Sequence, residues 1–420
     1  MNQLDVRTPV VLLSSNPTAV LHGVLGAARS LGRLGVPVHV VHPAPRTPMY
    51  RSRYVHSFRQ LSLRRDDPHG YVQALMVYGA ELGHRPVLIA CDDVAAVLVA
   101  DHQELLRDRF RLRVPSAELS RVLSDKSRLA GLCARLGIDT PLTLLPLTVD
   151  DVDAFAGEVG FPVVVKIADP EVLPTGPGVT REASVQLVDT LAELHRVMGD
   201  GPRVRPGRVL QQYVDGGAES SWMFNGYVDA QGQCRHGYTG RKLRQCRPGT
   251  GYTSLGVCED NPEVEAIVKR LLGDGSYQGI VDLDVLHDAR TGRYLLVDVN
   301  PRVGATFRLF VGADGTDVVR ALYADLTDQP LPPSGTQPGR RWVTELHDTY
   351  AALLYRRAGT LTTARWIRSY RRVDERAWWA ADDPVPFAAM VGWVAVRGLG
   401  HLRDRLGSGL PVSRRASLIR

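Results

Sequence analysis

Two apolar runs with acidic side chains at alternate positions constrain the fold of this chain more than any other feature. The runs cover residues 279–286 and 294–299, and only seven residues separate them. Their acidic and amide side chains are Asp282, Asp284, Asp298 and, directly after the second run, Asn300. A period of two places each pair of polar residues on one face of its strand, and the short connection predicts an antiparallel hairpin.

The negative charges of the carboxylates in this hairpin need a positively charged partner. Like charges on facing strands repel, and a carboxylate buried among apolar residues is costly without a partner. A solvated acidic face is the alternative, but the other residues of both runs are almost all apolar. Oxygen ligands of this kind suit Mg²⁺ that also contacts phosphates. The hairpin therefore predicts a divalent metal site.

The N-terminal part of the chain alternates strand and helix patterns. We expect strands at 10–14, 36–42 and 87–90, with a helix at 19–34 capped by Thr18. This order predicts an α/β unit with a parallel sheet. The turn after the first strand lacks the G-x-G-x-x-G pattern of dinucleotide-binding folds, which disfavours NAD as a ligand.

Lysine is rare in this chain, since only four of its 51 basic residues are lysines. They are Lys126, Lys166, Lys242 and Lys269. A lysine provides a compact point charge, whereas arginine provides a planar fork. Lys166 ends a β-branched run at 161–167, where a surface role is unexpected. The run at 169–181, rich in proline and glycine, predicts a loop after that strand.

Five short motifs in a fixed order resemble the ATP-grasp superfamily, and more narrowly its carboxylate–amine ligases, with a looser similarity to D-aspartate ligases. The motifs are Ser124-Asp125-Lys126, the run 161–167 ending near Lys166, Gln211-Gln212-Tyr213-Val214 with Glu219, Asp284, and Asp298-Val299-Asn300-Pro301-Arg302. The resemblance covers residues 119–312. It implies an α/β chain with an α+β ATP-binding part: a Rossmann-like preceding domain at 1–118, an ATP-grasp domain at 119–329, and a basic, mainly helical segment at 340–420.

The resemblance also implies a role for individual positions, with ATP and Mg²⁺ (or Mn²⁺) as cofactors. The expected nucleotide-binding residues are Lys126 and Lys166 on the phosphates, Gln212, Tyr213 and Val214 at the adenine, and Glu219 at the ribose. The expected metal ligands are Asp284, Asp298 and Asn300, with Asp282 behind them. The expected catalytic residues are Arg302, Lys242, Arg241 and Arg244. The loop at 175–179 would cover the phosphates. Relatives mostly carry glutamate at the positions of Gln212 and Asp298, so both are departures.

The function that the resemblance implies is ligation of a small-molecule carboxylate to an amine, with release of ADP and phosphate. Substrates that carry a lipid or nucleotide group are an alternative that the sequence leaves open. Two alternatives stay open, a phosphotransferase of the same fold and a nucleotide-binding regulatory module without turnover. Substrate contacts are expected from the loop 14–18, from Asp92-Asp93 and from residues 252–254.

Charge is unevenly distributed along the chain. Residues 340–420 hold 15 arginines against 7 acidic residues, whereas the rest of the chain is close to neutral. A nucleic-acid-binding body is therefore not expected. For the tryptophan-containing basic segment, docking onto the body is favoured over contact with an anionic membrane surface. The five scattered cysteines and the absence of a signal-peptide pattern predict a cytoplasmic protein without disulfides.

Overall fold

The computed structural model describes residues 6–64, 66–167, 185–199, 204–249, 251–331 and 335–407, with side chains as far as residue 397. The loop expected at 175–179 lies outside these residues. Three sheets organise the described part of the chain.

The first sheet is parallel and lies in the N-terminal unit. Its strands, in spatial order, are β3 (Ser57–Gln60), β2 (Val38–His42), β1 (Val10–Leu13) and β4 (Val87–Ala90). Its helices are α1 (His22–Gly32), α2 (Pro68–Glu81), α3 (Asp93–Asp101) and α4 (Gln103–Leu106). Every residue of β1, β2 and β4 is buried, as expected for strands covered on both faces. The predicted α/β unit is therefore present.

Helix α1 begins at His22 rather than at the predicted residue 19. Thr18 does not cap it, and Leu21 occupies the N-cap without a side-chain hydrogen bond. The preceding loop is instead held by Asp92, whose carboxylate accepts hydrogen bonds from Ser14 Oγ (2.7 Å) and from the backbone N–H groups of Ser15 (2.7 Å) and Asn16 (3.1 Å). These bonds keep the loop extended and delay the helix.

A smaller antiparallel sheet follows. Its strands, in spatial order, are β5 (Thr143–Leu144), β8 (Arg208–Gln212), β6 (Val163–Ile167) and β7 (Val185–Val188). The helices of this region are α5 (Ala117–Ser124), α6 (Lys126–Arg135), α7 (Val149–Val159) and α8 (Leu191–Met198). Helices α7 and α8 share a core with the sheet, which includes Phe155 and Leu194. Lys166 lies near the C-terminal end of β6, where the strand is only half-buried.

The largest sheet has seven strands and carries the predicted hairpin. Its strands, in spatial order, are β13 (Arg293–Asn300), β12 (Gly279–Asp288), β9 (Ser221–Val228), β10 (Cys234–Cys246), β11 (Tyr252–Cys258), β14 (Arg341–Val343) and β15 (Glu375–Arg376). Helix α9 (Pro262–Leu271) buries Val264, Ile267 and Val268 against one face of β12 and β13. Each such fully buried side chain contributes about 1.5–3 kcal/mol. Covering one face in this way leaves the other face for the polar residues.

The C-terminal segment docks onto the body, in agreement with the favoured expectation. Its helices are α11 (Glu345–Arg357), α12 (Thr363–Tyr370) and α13 (Val385–Gly407), and α10 (Val318–Leu326) precedes them. Strands β14 and β15 extend the large sheet, so the segment is not purely helical. Trp342 and Trp378, 1% and 0% exposed, join the core of the N-terminal unit. No helix in the described residues combines the length and apolar character needed to cross a membrane.

Two histidines lie where the N-terminal unit meets this segment. The ring centroids of His22 and His347 are 5.8 Å apart, and the ring of Trp342 is 5.5 Å from that of His22. Burial, together with the neighbouring His347, lowers the pKa of His22 from 6.5 to about 3. Burial lowers the pKa of His347 to about 4. Both rings therefore stay neutral in the folded chain well below neutral pH.

These two histidines predict a loss of stability in mild acid. The unfolded chain takes up protons near pH 6.5 while the folded chain does not, so the free energy of unfolding is highest above that pH. We expect it to fall between pH 6.5 and pH 4, by at most about 1.4 kcal/mol per pH unit for each histidine. Urea unfolding at a series of pH values measures this slope. His22→Gln/His347→Gln should reduce it, and the remaining slope comes in part from His39 and His42, whose pKa values burial also lowers. An unchanged slope in that variant would contradict the assignment.

Candidate active site

The predicted hairpin forms, with a register shift between Asp284 and Val285. Asp282 lies opposite Asn300, and Asp284 lies opposite Asp298, on the antiparallel strands β12 and β13. Asp282 accepts hydrogen bonds from Asn300 Nδ2 (3.3 Å) and from Asn225 Nδ2 (3.4 Å) on the adjacent strand β9. Burial raises the pKa of Asp282 to about 6 although Arg302 opposes the shift. Four polar side chains of the hairpin thus share one small region of the sheet.

Three of the four lysines converge on this region. Lys126, the first residue of α6, contacts Asp298 Oδ1 with its Nζ atom, and Lys242 Nζ on β10 lies 3.0 Å from Asp284 Oδ1. Lys166 on β6 completes the group, because its charge interacts with both aspartates and with the other two lysines. The three lysines come from three separate elements, so the tertiary fold brings them together.

Burial and charge act in opposite directions on these groups. Burial lowers the pKa of Lys166 to about 8, while Asp298 and Asp284 oppose the shift. Burial favours protonation of Asp298, but Lys126 and Lys166 outweigh it and lower the pKa of this carboxyl. The cluster therefore places three lysines around the two facing aspartates, an arrangement suited to binding a phosphorylated anion.

Arg302 connects this cluster to the N-terminal unit. Its Nε atom donates to Asp93 Oδ1 at 2.7 Å, and its Nη1 atom lies 3.5 Å from Asp282 Oδ2. Burial would lower the pKa of Arg302, but Asp93 and Asp282 outweigh burial and raise it. Asp93 is the first residue of α3 and follows Asp92, which holds the loop after β1. Two of the three expected substrate-side segments, Asp92-Asp93 and the loop that Asp92 holds, therefore lie on the side of the cluster where Arg302 is bound.

The contact between Asp93 and Arg302 predicts a positioning role for Asp93. Asp93→Asn would remove the closer of the two charged partners of the Arg302 guanidinium, which could then shift toward Asp282. We expect kcat/KM to fall by up to about 100-fold, since a displacement of about 1 Å can cost that much. Steady-state ADP release measures the effect. Asp101→Asn, at the other end of the same helix, serves as the control, and equal rates for Asp93→Asn and wild type would contradict the role.

The residues expected to bind the adenine and the ribose lie at the end of β8 and in the segment that follows it. Gln212 ends β8, and its side-chain Oε1 accepts from the Leu142 backbone N–H at 3.4 Å. Burial, with a contribution from Asp215, raises the pKa of Tyr213. Glu219 is 75% exposed, and its Oε2 atom lies 3.6 Å from Arg241 Nη1. This group is distinct from the lysine cluster, and Val214 adjoins it in sequence.

The structure separates the three basic residues of β10 that were expected to converge. Lys242 joins the cluster, whereas Arg241 pairs with Glu219 and, at 3.0 Å, with Glu259. Adjacent strand residues point to opposite faces, which explains the separation of Arg241 from Lys242. A register shift then follows between Lys242 and Arg244.

Arg244 is not brought to the cluster, contrary to its expected place there. It is buried, and its Nε and Nη2 atoms donate to the two oxygens of Asp348 on α11 at 2.8 and 2.9 Å. Asp348 also accepts from Ser254 Oγ (3.0 Å) and from Trp366 Nε1 (2.8 Å). These contacts attach the C-terminal segment to the large sheet. Ser254 thus serves the same attachment, whereas Tyr252 is 70% exposed.

Sequence reasoning missed Asn225 and Asp348. Asn225 is fully buried on β9 and faces Asp282, and its position in a mostly apolar run was an available signal. Asp348 is 104 residues from Arg244 in the chain, and no local pattern links the two. The periodic pattern of a sequence does not indicate ion pairs between residues so far apart in the chain.

The donor set of the hairpin fits a magnesium ion. In the described residues, no three His, Cys, Asp or Glu side chains converge as a closed metal cluster. Magnesium does not require one, because it is usually held by one or two carboxylates together with phosphate oxygens and water. Asp284 and Asp298 face each other across the ladder, with Asn300 next to Asp298 on one face of β13. Lys126 contacts Asp298 and Lys242 contacts Asp284, so each of the two aspartates already binds a positive charge.

Comparison with known proteins agrees with this architecture. The chain is 24% identical to the D-aspartate ligase of Enterococcus faecium (strain Aus0004) over 247 residues, which are 57% of this chain and 58% of that ligase. The match therefore spans somewhat more than half the length of this relative. No protein-family model matches the chain.

Solved structures extend the similarity to most of the chain. The L-amino acid ligase from Bacillus licheniformis superposes with a TM-score of 0.57 at 15% identity, over 80% of this chain and 79% of that one. A second structure is the biotin carboxylase domain of the Hydrogenobacter thermophilus 2-oxoglutarate carboxylase, in complex with MgADP, ADP and bicarbonate. It superposes with a TM-score of 0.57 at 14% identity, over 80% of this chain and 74% of that one. The chain therefore shares the fold of these two proteins, in agreement with the architecture that its resemblance to the ATP-grasp superfamily implies.

Proposed function

We propose that this protein is an ATP- and Mg²⁺-dependent ligase that joins a carboxylate to an amine. The carboxylate is activated as an acyl phosphate, the amine attacks it, and an amide forms with release of ADP and phosphate. The observation that carries the proposal is the convergence of Lys126, Lys166, Lys242 and Arg302 on the paired aspartates of the hairpin. The similarity to a D-aspartate ligase and to an L-amino acid ligase supports the same reaction class.

The chemistry of amide formation explains why a cluster of charged side chains suffices for catalysis. A carboxylate is a poor electrophile, and it does not condense with an amine in neutral water. Transfer of the γ-phosphoryl group converts one carboxylate oxygen into a phosphate leaving group. Phosphoryl transfer depends mainly on positioning and charge neutralisation, so the protein needs no nucleophile of its own.

The basic residues divide this task according to their positions. We propose that Lys126 and Lys166 leave the aspartates and bind the α- and β-phosphates when ATP enters. Lys242, 3.0 Å from Asp284, then faces the γ-phosphoryl group. Arg302 stabilises the charge that develops on the transferred group, and Asp93 holds it in place. Exchange of lysine partners from carboxylate to phosphate keeps the buried charges compensated throughout.

Magnesium would be held by Asp284, Asp298 and Asn300, and it would neutralise charge between the phosphates during transfer. The shorter side chain of Asp298, compared with the glutamate of relatives, lies opposite Asp284 in the ladder. The adenine would be read by Gln212 and by the backbone at Tyr213 and Val214. Glu219 would accept hydrogen bonds from the ribose, with Arg241 beside it. Arg244 has a structural role in this scheme.

The carboxylate and the amine would bind where the N-terminal unit meets the hairpin. Arg302 lies there, beside Asp93 and the loop that Asp92 fixes. We propose small-molecule substrates, with a lipid- or nucleotide-linked carboxylate as a further possibility for the same cleft. The specificity depends on the polar contacts that the loop at 14–18 makes.

Nucleotide product analysis tests the reaction class. The purified protein is incubated with Mg-ATP and with pools of amino acids, organic acids and amines, and the nucleotides are separated. We expect ADP and free phosphate to appear only when a carboxylate and an amine are both present. ADP formation with a phosphorylated product and no amine requirement would identify a phosphotransferase instead. AMP as the product would exclude the acyl phosphate route.

A further inference from the structure

A dense group of arginines lies on the outer side of the C-terminal segment. We call it the arginine patch, and its members are Arg356, Arg357, Arg365, Arg368, Arg371 and Arg372. All six are exposed, and the stretch from residue 349 to residue 373 contains no acidic residue. They lie at the end of α11, on α12 and directly after α12, within one helical hairpin.

The arginine patch differs from the arginines whose ion pairs hold this segment and its neighbours together. Arg244 and Arg340 pair with carboxylates, and so does Arg29 of the N-terminal unit. Among the residues that the structure describes, none of the six patch arginines has a carboxylate within ion-pair distance. The patch therefore carries six uncompensated charges on a chain whose formal net charge is +6.

Part of the arginine patch is unfavourable within the chain itself. Arg365 and Arg368 are three positions apart on α12, so like charges are neighbours on the helix surface. Arg365 also lies in the first turn of α12, where a positive charge opposes the helix dipole. Arg356, Arg357 and Arg368, in contrast, lie in the last turns of their helices, where the helix dipole favours a positive charge. An anionic partner would turn the unfavourable interactions into favourable ones.

Exposed aliphatic side chains accompany the arginines. Ile367 on α12 is 56% exposed and Leu353 on α11 is 42% exposed, and α12 contains no buried residue. The helix is held on its inner side by Trp366, whose Nε1 donates to Asp348, and by Ser369, whose hydroxyl accepts from Arg244. One side of α12 is therefore attached to the body while the arginines and Ile367 face outward.

We propose that the arginine patch docks onto a membrane surface rich in anionic phospholipid, with Ile367 and Leu353 inserted among the headgroups. Basic side chains alternating with aliphatic ones on an outward helix suit this interface, where phosphate groups lie above hydrocarbon. A nucleic acid would pair with the arginines but would give the aliphatic side chains nothing to bury. This surface is separate from the proposed ligase site, so neither proposal depends on the other.

Vesicle co-sedimentation of the full chain tests this proposal. Vesicles of phosphatidylcholine mixed with phosphatidylglycerol are compared with vesicles of phosphatidylcholine alone. We expect binding to the anionic vesicles only, with affinity that falls as salt increases. Each arginine near an anionic surface contributes about fivefold in affinity. Arg365→Gln/Arg368→Gln/Arg371→Gln/Arg372→Gln should therefore weaken binding by roughly several hundredfold.

Two further variants separate this surface from general electrostatic attraction. Arg109→Gln/Arg135→Gln removes two exposed arginines outside the patch and should leave vesicle binding nearly unchanged. Ile367→Asp should weaken it while the thermal unfolding midpoint stays close to that of wild type. Equal binding by the patch variant and the wild type would overturn the proposal. Binding to a short RNA but not to anionic vesicles would also overturn it and would identify a nucleic-acid surface.

Discussion

Asp298→Asn is expected to lower ATP-dependent turnover by about 10³-fold while the chain stays folded. The substitution keeps the shape of the side chain but removes the charge that lies opposite Asp284 and contacts Lys126. The site then loses one of the two carboxylates available to magnesium. Lys126 and Lys166 also lose the negative charge beside them when no ATP is bound. Steady-state ADP release, measured over a range of Mg²⁺ concentrations, gives kcat and the apparent affinity for the metal.

A matched control lies on the same hairpin. Asp288 ends β12 in an exposed turn, where its carboxylate accepts from the Arg290 backbone N–H (2.9 Å) and the Thr291 hydroxyl (2.9 Å). Asp288→Asn keeps an oxygen acceptor for the Arg290 N–H, and its amide NH2 group can donate to Thr291 Oγ1, so this variant should retain wild-type turnover. If Asp298→Asn kept a rate within about tenfold of wild type, the hairpin would not be the site of phosphoryl transfer.

Asp383→Ala is expected to lower the free energy of unfolding by about 3–5 kcal/mol. Asp383 is 2% exposed and accepts from Arg29 Nε (2.9 Å), Ser52 Oγ (2.7 Å) and the Arg53 backbone N–H (3.0 Å). Removing it leaves the Arg29 guanidinium buried without its charged partner, and that uncompensated charge is the main cost. Urea unfolding followed by circular dichroism measures the loss.

The neighbouring residue provides the control for this prediction. Asp382 also pairs with an arginine, Arg33 (2.8 Å), but its side chain is 42% exposed. Water screens this pair, so Asp382→Ala should cost less than about 1 kcal/mol. Similar losses for the two variants would mean that Asp383 does not carry the attachment of the C-terminal segment to the N-terminal unit.

The hairpin shows how far sequence reasoning reaches in this protein. The period of two along β12 and β13 predicted which residues share a face, and the short connection predicted that the two strands pair as a hairpin. The pairing of Asp284 with Asp298 also depends on a register shift between Asp284 and Val285, which no local pattern indicated. The rarity of lysine singled out Lys126, Lys166 and Lys242, and the structure gathers all three. These successes rest on local patterns and on the ordered motifs of a superfamily.

The failures have equally specific causes. A register shift after Lys242 interrupts the alternation of β10, and Arg244 reaches Asp348 instead of the cluster. Strand β15 has two residues, and β14 has three, which is too short for any periodic signal. The contact between Asp93 and Arg302 spans 209 positions in the chain. Such pairings are decided by tertiary packing rather than by local sequence.

Oxygen transfer from the carboxylate to phosphate tests the proposed ligase mechanism most directly. The carboxylate substrate found by product analysis is prepared with ¹⁸O in its carboxyl group, and the phosphate released during turnover is examined by mass spectrometry. Formation and breakdown of an acyl phosphate predicts that each phosphate released carries one oxygen from the carboxylate. Released phosphate without ¹⁸O would contradict activation of the carboxylate by this site.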